Sequence, residues 1–544
     1  MPYSLNLPDA FNAADYFVDR NVREGRGEKA AVLCEDRLLT YAGMQDGMNR
    51  FGNALKSLGV RMEERVSLLL LDTEVYPQAF FGAIKIGAVP VCLNTMNRSQ
   101  DFRFYLNDSR TRVLVVDAPL LELIEPIRNE LPFLEHVIVV PLRQGFPLRQ
   151  GYGGQAPSCS DEPPVNGMRP GDLDFDTLLA AQSDRLDAAP TCRDDACFWL
   201  YSSGSTGSPK GTVHLQHDMV YAASTYGMKI LEIKEDDVFF SAAKLFFAYG
   251  LGNGIYFPFH VGATAVYLPH RPTPEQVYAT VRRHRPTLYF GVPTLYGQML
   301  EQDGQMAGVR LCVSAGEALP PSYLHRWKAR FQLDILDGIG STEMAHIFVS
   351  NRPGEIAAGS SGKVVPGYEA RIVDEEMRDV AGGEIGTLLV KGDSAAAFYW
   401  NKHKKTTETM MGSWVNTGDK YYCDEKGYFY CAGRSDDMLK VGGIWVSPNE
   451  VEACLIEHPD VLECAVIGAS DEDDLVKPMA FVVLAASKEP SEKVESELKE
   501  FVKSSLALYK YPRWIRFMDE LPKTATGKIK RFELRDMLQQ QKAA

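Results

Sequence analysis

Short apolar runs alternate with amphipathic segments along most of the chain. Apolar runs at 66–71, 113–116 and 136–140 predict strands, and the periodicity of 77–86 predicts a helix. The alternation resumes later, where we predict strands at 263–267, 287–290, 310–314 and 334–336 and helices at 275–284 and 321–331. Strands that alternate with helices indicate βαβ units, so we predict an α/β fold with two parallel-type sheets of comparable size.

One segment interrupts this alternation. Residues 141–146, PLRQGF, are nearly repeated by 147–152, PLRQGY, and a stretch rich in glycine, proline and acidic residues follows to about residue 172. This composition predicts a disordered surface insertion over about 141–172. A tandem duplication tolerated in a loop explains the repeat better than a partner-docking tail does, so we assign the segment no chemistry.

A second change of composition follows residues 433–437, after which the pattern is that of a smaller α+β unit. We therefore predict an N-terminal domain over 1–435 and a C-terminal domain over 436–544. The chain is long enough for this arrangement, because its 544 residues, 45% of them hydrophobic, can fill more than one core.

Charge and cysteine usage narrow the function classes. The net charge is -14 at pH 7, and nucleic-acid backbones need a basic surface, so we expect no nucleic-acid partner. We also expect neither a signal peptide nor a membrane span, since no apolar run approaches about 18 residues, and we expect a cytoplasmic location. The ten cysteines lack CxxC spacing, which favours reduced core thiols over zinc or disulfides.

The most informative motif is a hydroxyl- and glycine-rich loop, SSGSTGSPKG at 202–211, directly after the apolar run 196–201. A polyphosphate needs close N–H and O–H donors, an open backbone and a nearby positive charge, which this loop supplies. A flexible linker would not follow a buried strand, and a Walker P-loop has its lysine directly after the last glycine, whereas Ser208 and Pro209 intervene here. The predicted phosphate-binding residues are Ser202, Ser203, Gly204, Ser205, Thr206, Gly207 and Lys210.

Two further motifs end consecutive predicted strands, SAGE at 314–317 and DGIGSTE at 337–343. Both open at the carboxyl edge of a sheet, where α/β proteins bind ligands. There Glu343 would be an oxygen ligand for the magnesium that accompanies a triphosphate, and Thr342 would donate to a phosphoryl oxygen. Taken alone, Glu343 fits an acid at a helix N-terminus equally well.

Three more residues have the chemistry that a nucleotide site needs. Asp419, in TGD at 417–419, is a carboxylate of the kind that accepts hydrogen bonds from ribose hydroxyls, and Arg434 would be a second anchor. Lys528 lies on a glycine-containing turn, PKTATGKIKR at 522–531, ahead of a helix predicted to begin around 532. That is typical of a lysine that reaches another domain's active site, although a solvated basic turn has the same composition.

Together these motifs resemble the adenylate-forming superfamily, which includes acyl-CoA synthetases, adenylation domains and luciferases. The resemblance extends from about residue 12 to 538. The five motifs that carry it occur in the family's order, at 201–211, 340–343, 417–419, 433–436 and 522–528. Segments 245–253, 341–350 and 435–448 resemble the benzoate-CoA ligases among them.

The resemblance implies a fold and a reaction. The fold would be a large N-terminal domain of two αβα sheet subdomains and a small β-barrel-like subdomain, followed by a small mobile α+β domain. The reaction would consume ATP, with Mg²⁺ and coenzyme A, and would pass through an acyl-adenylate. In the family's pattern Lys528 bridges the substrate carboxylate and the α-phosphate, Asp436 is the hinge, and Gly442 and Gly443 border the pantetheine channel.

The same resemblance assigns residues to the adenine and acyl subsites. Besides Asp419 and Arg434, the nucleotide residues are Ala315, Gly316, Glu317, Asp337, Gly338 and Ile339. The acyl pocket comprises Ala248, Tyr249, Gly250, Ile339, Gly340 and His346. A small residue, an aromatic face and a β-branched side chain would make a flat slot suited to an aryl carboxylate. His346 is either a contact for a ring substituent or a structural core histidine.

Three alternatives remain at this point. The substrate is benzoate or a hydroxy-, amino- or halobenzoate, because an apolar slot separates such acids weakly. The enzyme could instead load a carrier protein. A catalytically idle nucleotide-binding protein is disfavoured, because it would be expected to lose Lys210, Glu343 or Lys528, and all three are present. A monomer and a homodimer both remain open.

Overall fold

A computed structural model describes residues 5–142, 168–204, 207–434, 437–441, 444–471, 475–485, 488–523 and 529–543. The side chains at 203, 204, 207, 208, 440, 444, 445 and 539–543 lie outside this description. Over the described ranges, no helix is both long enough and apolar enough to cross a bilayer.

The strands are short and most are buried. In chain order they are β1 (Ala30–Cys34), β2 (Arg37–Thr40), β3 (Arg65–Leu69), β4 (Val89–Cys92), β5 (Val113–Asp117), β6 (His136–Val140), β7 (Leu173–Asp174), β8 (Ala196–Gly204), β9 (Gly207–Leu215), β10 (Val238–Ser241), β11 (Thr264–Tyr267), β12 (Leu288–Gly291), β13 (Leu311–Ala315), β14 (Ile335–Gly340), β15 (Ile347–Ser350), β16 (Lys363–Val364), β17 (Glu369–Val373), β18 (Gly386–Lys391), β19 (Phe398–Tyr399), β20 (Met410–Met411), β21 (Trp414–Cys423), β22 (Phe429–Arg434), β23 (Leu439–Val441), β24 (Ile444–Val446), β25 (Val461–Ser470), β26 (Val476–Leu484) and β27 (Trp514–Phe517).

The α-helices connect the strands, together with short 3₁₀ and π segments. They are α1 (Tyr41–Ser57), α2 (Val75–Lys85), α3 (Ser99–Asp108), α4 (Phe175–Ala180), α5 (Asp218–Ala222), α6 (Ala248–Leu251), α7 (Phe257–Val261), α8 (Pro274–His284), α9 (Pro293–Leu300), α10 (Pro321–Phe331), α11 (His403–Thr409), α12 (Pro448–Ile456), α13 (Glu492–Ser505) and α14 (Arg531–Ala543). Several of these helices begin with a side-chain cap. Thr273, which directly precedes α8, accepts the N–H of Gln276 through its hydroxyl.

Two large sheets form the body of the protein. The first has eight strands in the order β19-β9-β8-β4-β3-β5-β6-β7, and the second has nine in the order β16-β15-β14-β13-β12-β10-β11-β1-β2. The central pairings of both sheets are parallel. Antiparallel strands lie at one edge of the first sheet, β9 and β19, and at both edges of the second. Strands such as β5 are buried along their whole length because helices cover both faces, which explains their unbroken apolar sequence.

Two smaller β-rich parts complete the chain. Strands β17, β18, β20, β21 and β22 form an antiparallel five-stranded sheet. After it come the β23–β24 hairpin and a three-stranded sheet, β25-β26-β27, on which α12, α13 and α14 lie around two separate apolar cores. The predicted α/β class, with two parallel-type sheets and a small C-terminal α+β part, is therefore confirmed.

Predicted and observed elements agree closely where the apolar pattern is strong. Strand β6 and helix α10 occupy the predicted residues, and most others differ by one or two residues at an end. The largest difference is β14, which continues to Gly340 instead of ending at 336. Its glycine-containing end pairs with β15, and glycine provides no apolar signal for a strand.

Candidate active site

The predicted phosphate loop lies at the end of two antiparallel strands of the first sheet, β8 and β9. Ser202 is opposite Lys210 in their register, and Gly204 is opposite Gly207. Directly opposed residues of an antiparallel pair project on the same face, so the register places Ser202 and Lys210 side by side. Ser205 and Thr206 lie outside the described residues.

Lys210 is partly buried and lies on an aromatic ring. Its Nζ is 4.8 Å from the ring centroid of Tyr399. Burial lowers the pKa of Lys210, and the positive charges of Lys405 and Arg434 lower it further against the opposing effect of Glu343. Within the described ranges, no carboxylate oxygen is close enough to form an ion pair with this ammonium group. Its charge is therefore open to an anionic ligand.

Glu343 lies on a 3₁₀ turn, Thr342–Met344, directly after β14. Its Oε1 accepts a hydrogen bond from the Tyr399 hydroxyl at 2.6 Å and a longer one from Ser202 Oγ at 3.4 Å. The second contact joins the end of β8 in the first sheet to the end of β14 in the second. Oε2 has no hydrogen-bond partner among the residues that the structure describes, so one carboxylate oxygen is left for a ligand.

A buried histidine, His214, forms a hydrogen bond to the backbone of Thr342. His214 Nε2 is 2.8 Å from the carbonyl oxygen of Thr342, and its Nδ1 is 2.7 Å from Asp218 Oδ2. A carbonyl oxygen only accepts, so Nε2 is the donor of the first bond. The ring stacks on Phe198, and the side chains of His214 and Asp218 are fully buried. Sequence analysis missed this pair, although a histidine and an aspartate four residues apart in an apolar segment were its visible trace.

The two predicted ribose anchors are brought together by strand pairing. Asp419 on β21 lies opposite Arg434 on β22, and Nη1 of the arginine is 2.9 Å from Oδ1 of the aspartate. Gly418, directly before Asp419, has φ of 75°, and a Cβ there would lie 3.1 Å from Nη2 of Arg434. Glycine is therefore needed for the guanidinium to cross this turn. The charge of Arg434 also acts on Lys210 and Tyr399.

The two motifs predicted to bind adenine lie side by side at the ends of β13 and β14. Ala315 is opposite Gly338 in the register. The Asp337 side chain is buried beneath the loop that follows β13. Its Oδ2 accepts the N–H of Leu319 in that loop at 3.4 Å, and its Oδ1 has no hydrogen-bond partner in the described part of the chain. Burial raises the pKa of Asp337 to about 8, so the group is largely a neutral acid at pH 7.

Glu317 connects this edge to the C-terminal part. Its Oε1 accepts the N–H of Ile529 at 3.2 Å. A second contact between the two parts is made by the hydroxyl of Tyr323 on α10, which donates to the carbonyl oxygen of Leu462 at 3.3 Å. The segment that contains Ile529 is thus held against the wall of the predicted nucleotide site.

The predicted acyl residues surround α6. Ala248, Tyr249 and Gly250 lie on this one-turn helix, and the Tyr249 hydroxyl is 3.3 Å and 3.2 Å from the carbonyl oxygens of Gly291 and Val313. A Cβ at Gly250 would lie 2.0 Å from the carbonyl oxygen of Lys244, so only glycine fits this turn.

His346 is buried against these residues. Its Nε2 is 3.3 Å from the carbonyl oxygen of Tyr249 and 3.1 Å from Asn253 Oδ1. The ring packs against Phe257 at 4.5 Å between centroids, and burial lowers the pKa of His346 to about 3, so the imidazole is neutral. Its Nδ1 has no hydrogen-bond partner among the described residues. The histidine therefore belongs to the packed core and also contacts the predicted pocket directly.

The other two acyl residues lie on β14. Ile339 is opposite Val349 on β15, and a Cβ at Gly340 would lie 2.6 Å from the carbonyl oxygen of His346. The glycine thus lets the two strands approach each other beside the pocket.

A buried ion pair that sequence analysis missed supports the loop before α6. Lys244 Nζ is 3.6 Å from Asp72 Oδ2 and 2.6 Å from the carbonyl oxygen of His270. Asp72 Oδ1 accepts the N–H of Leu245 at 3.2 Å. Burial lowers the pKa of Lys244 and raises that of Asp72. No local motif marks this pair, because its members are far apart in the sequence.

Several predicted residues lie outside the described ranges, so their roles stay predictions. They are Lys528, Asp436, Gly442 and Gly443, with Ser205 and Thr206 and most of the predicted insertion, 143–167. The end of that insertion is ordered: Asp172 pairs with Arg128, and Arg169 Nε is 2.7 Å from Glu125 Oε2. These ion pairs attach residues 169 and 172 to the segment 125–128.

Comparison with known proteins gives matches along the chain. A family described as AMP-binding enzyme matches residues 18–400, and the AMP-binding enzyme C-terminal domain matches 450–528. The chain is 49% identical to a benzoate–CoA ligase of Thauera aromatica, over 98% of this chain and 97% of that protein. It is 46% identical to a 4-hydroxybenzoate–CoA/benzoate–CoA ligase of Rhodopseudomonas palustris, over 97% and 94%.

Solved structures agree with these matches. An anthranilate CoA ligase in complex with anthranoyl-AMP superimposes with a TM-score of 0.90 at 43% identity, covering 99% of each chain. A benzoate CoA ligase from Burkholderia xenovorans LB400 superimposes with a TM-score of 0.86 at 43% identity, covering 96% of this chain and 100% of that one.

Proposed function

This chain belongs to the AMP-binding enzyme family, and on that premise we propose that it is an AMP-forming ligase that joins benzoate to coenzyme A. In the first step the carboxylate attacks the α-phosphorus of ATP, which gives benzoyl-adenylate and diphosphate. In the second step the thiol of coenzyme A displaces AMP. The adenylate is needed because a free carboxylate is a poor electrophile, whereas the AMP of a mixed anhydride leaves readily.

The observation that carries the proposal is the contact between the two large sheets at Ser202 and Glu343, whose Oγ and Oε1 atoms are 3.4 Å apart. Beside this contact, the ammonium group of Lys210 and Oε2 of Glu343 lack an ion-pair partner in the described ranges. His346, three residues after Glu343, contacts the residues proposed to hold the acyl group. A cation, a carboxylate and a buried aromatic region in this order suit an anionic nucleotide beside an aryl acid.

The nucleotide is held by groups on both sheets. Ser202 and Lys210 would bind phosphate oxygens, and an ammonium about 4 Å from a phosphate oxygen gains on the order of 4 kcal/mol at an effective dielectric constant of about 20, before desolvation. Asp419, already held by Arg434, would accept the ribose hydroxyls. The backbone of 315–317 and 337–339 would line the adenine.

The donor set at Glu343 also suits magnesium. Oε2 of Glu343 is a carboxylate oxygen of the kind that this ion prefers, while Thr342 and Ser202 would donate to phosphate oxygens beside it. When bound, magnesium supplies positive charge that neutralises the phosphate oxygens. Tyr399 would orient the Glu343 carboxylate, and His214 would orient the 3₁₀ turn that carries Glu343.

Charge that develops at the α-phosphorus requires a further cation. By the family's pattern this cation is Lys528. The next residue, Ile529, donates its N–H to Glu317 at the predicted nucleotide site, and this contact supports the assignment. Asp436 would be the hinge that allows the C-terminal part to turn between the two steps, and Gly442 and Gly443 would border the channel for the pantetheine arm.

A second candidate substrate class is benzoate with an amino or hydroxyl group on its ring. The specific observation is His346 Nδ1, a buried acceptor without a partner among the described residues. A ring N–H or O–H donor would satisfy this nitrogen, whereas unsubstituted benzoate would not. Leaving such a group unpaired costs about 1 to 3 kcal/mol, which favours a substituted acid by about fivefold to 150-fold.

The test is diphosphate exchange into ATP, measured with the purified protein, magnesium and a panel of benzoate, 2-aminobenzoate, hydroxybenzoates and halobenzoates. Thioester formation is then measured with coenzyme A and the acids that support exchange. Exchange with benzoate followed by benzoyl-CoA is expected. Exchange without any thioester would instead favour a carrier-protein-loading enzyme, and a lack of exchange with every aryl acid would contradict the proposal.

A further inference from the structure

Tyr399 contacts both charged residues of the site, Lys210 and Glu343. Its hydroxyl donates to Glu343 Oε1 at 2.6 Å, and its ring lies 4.8 Å below the ammonium group of Lys210. The side chain is only 2% exposed. The motifs that predicted the site do not include this tyrosine, which lies 56 residues after Glu343.

The backbone around Tyr399 is attached to both sheets. Strand β19 pairs with β9, so Tyr399 is opposite Thr212, two residues from Lys210. The N–H of Ala396 donates to the carbonyl oxygen of Glu343 at 2.7 Å. On the other side, the N–H of Tyr399 donates to Thr406 Oγ1 on α11 at 3.0 Å. The phenol is thus fixed relative to the lysine and the glutamate.

The chemistry of a phenol suits both contacts. A carboxylate oxygen only accepts, so the Tyr399 hydroxyl is the donor in its contact with Glu343 Oε1. By occupying Oε1, it leaves Oε2 as the carboxylate oxygen without a partner in the described part of the chain. The negative face of the ring attracts the ammonium group of Lys210. Lys210 and Glu343 therefore both contact Tyr399 but do not form an ion pair with each other, which would neutralise both charges.

We infer that Tyr399 is a positioning residue for magnesium and ATP: its hydroxyl orients the Glu343 carboxylate toward the metal, and its ring holds Lys210 for the phosphates. This inference rests on the proposed function, since it assigns Glu343 and Lys210 to the metal and the nucleotide. It predicts that the two contacts can be separated by substitution, because Tyr399→Phe removes only the hydroxyl and Tyr399→Leu removes the ring as well.

The experiment measures ATP binding by titration calorimetry, with excess magnesium and with EDTA. For Tyr399→Phe we expect the gain in affinity due to magnesium to fall about tenfold, as for a lost hydrogen bond to a charged group, with the EDTA affinity unchanged. For Tyr399→Leu we expect the EDTA affinity to fall as well, by about threefold, because the cation–π contact is lost. The KM for the aryl acid should not change in either variant.

A matched control is Tyr278→Phe, which removes the hydroxyl of another buried tyrosine, on α8, that donates to the carbonyl oxygen of Met299 on α9 at 2.7 Å. It should leave the magnesium-dependent gain unchanged. A Tyr399→Phe variant that keeps the wild-type gain, or that loses it only as much as the control, would overturn the inference.

A double-mutant cycle with Glu343→Gln tests whether the hydroxyl acts through the carboxylate. The Tyr399→Phe effect on the magnesium-dependent gain should disappear in that background, and an undiminished effect would refute the inference. Because binding is measured without an aryl acid, the outcome is separate from the proposed reaction. A protein that shows the expected binding changes but makes no benzoyl-adenylate would contradict the proposed function and leave the role of Tyr399 supported.

Discussion

Replacement of Asp337 by asparagine should stabilise the nucleotide-free protein, and more so at alkaline pH. The carboxyl group is buried, with one oxygen lacking a partner among the described residues, and its pKa rises from 3.8 to about 8. Between these two values the folded protein binds a proton that the unfolded chain has released. The free energy of unfolding therefore falls as the pH rises through this interval. Asparagine has nearly the shape of the neutral acid and does not ionise.

The magnitude follows from the two pKa values. Each pKa unit is equivalent to about 1.4 kcal/mol, so ionisation of Asp337 costs roughly 5 kcal/mol at pH 8 and roughly 1.5 kcal/mol at pH 5. With an unfolding entropy of about 2.1 cal/mol/K per residue, these values correspond to about 4 to 5 °C and about 1 to 2 °C in Tm. The Tm gain of Asp337→Asn over the wild type should thus be about 3 °C larger at pH 8 than at pH 5.

Thermal unfolding by circular dichroism, in EDTA and without nucleotide, measures this difference. The matched control is Asp237→Asn. Burial would raise the pKa of Asp237, but the hydrogen bond from Arg310 at 2.8 Å and its other contacts outweigh burial and lower it. Because its pKa is lowered on folding, Asp237 stabilises the protein fully above its unfolded-state pKa of 3.8, and this stabilisation is lost as the pH falls through the folded-state pKa. Both pH 5 and pH 8 lie above 3.8, so Asp237→Asn should lower the Tm by the same amount at the two pH values. An Asp337→Asn gain that is equal at both pH values would refute the reasoning.

Three further variants test the proposed chemistry. Lys528→Ala should slow adenylate formation about a hundredfold to a thousandfold while sparing thioester formation from supplied benzoyl-adenylate; an equal loss in both half-reactions would contradict its role. Asp436→Pro should retain diphosphate exchange but make little thioester, because proline fixes φ at the proposed hinge, and normal overall turnover would argue against a hinge there. His346→Ala should lower kcat/KM for 2-aminobenzoate or hydroxybenzoates about tenfold more than for benzoate, measured in parallel assays, whereas equal losses would indicate a purely structural histidine.

The candidate site was predictable wherever its chemistry is local in the sequence. The segment 202–211 combines the hydroxyls, glycines and lysine that phosphate binding needs, and it directly follows the apolar run 196–201, at the end of β8 and the start of β9. Asp419 and Arg434 were predicted as separate anchors, and the structure shows them as one hydrogen-bonded pair. Their pairing depends on the register of β21 and β22, which their own sequences do not specify.

Residues that act through contacts between distant segments were not predictable. Tyr399 is one aromatic residue among many, and its function depends on β19 lying beside β9. Lys244 and Asp72 resemble ordinary surface charges in the sequence, but they form a buried pair under the acyl loop. His346 fits a ring contact and a core histidine equally well until its neighbours are known.

The sequence by itself determined the alternation of strands and helices, the α/β class and the types of group available for phosphate and metal. These properties follow from apolar periodicity and from functional groups that are neighbours along the chain. Only the tertiary structure decided which charges remain unpaired, which carboxyl groups are neutral and which tyrosine lies between Lys210 and Glu343. Those properties depend on burial and on distances between residues far apart in sequence, and both are set by how the two sheets pack against each other.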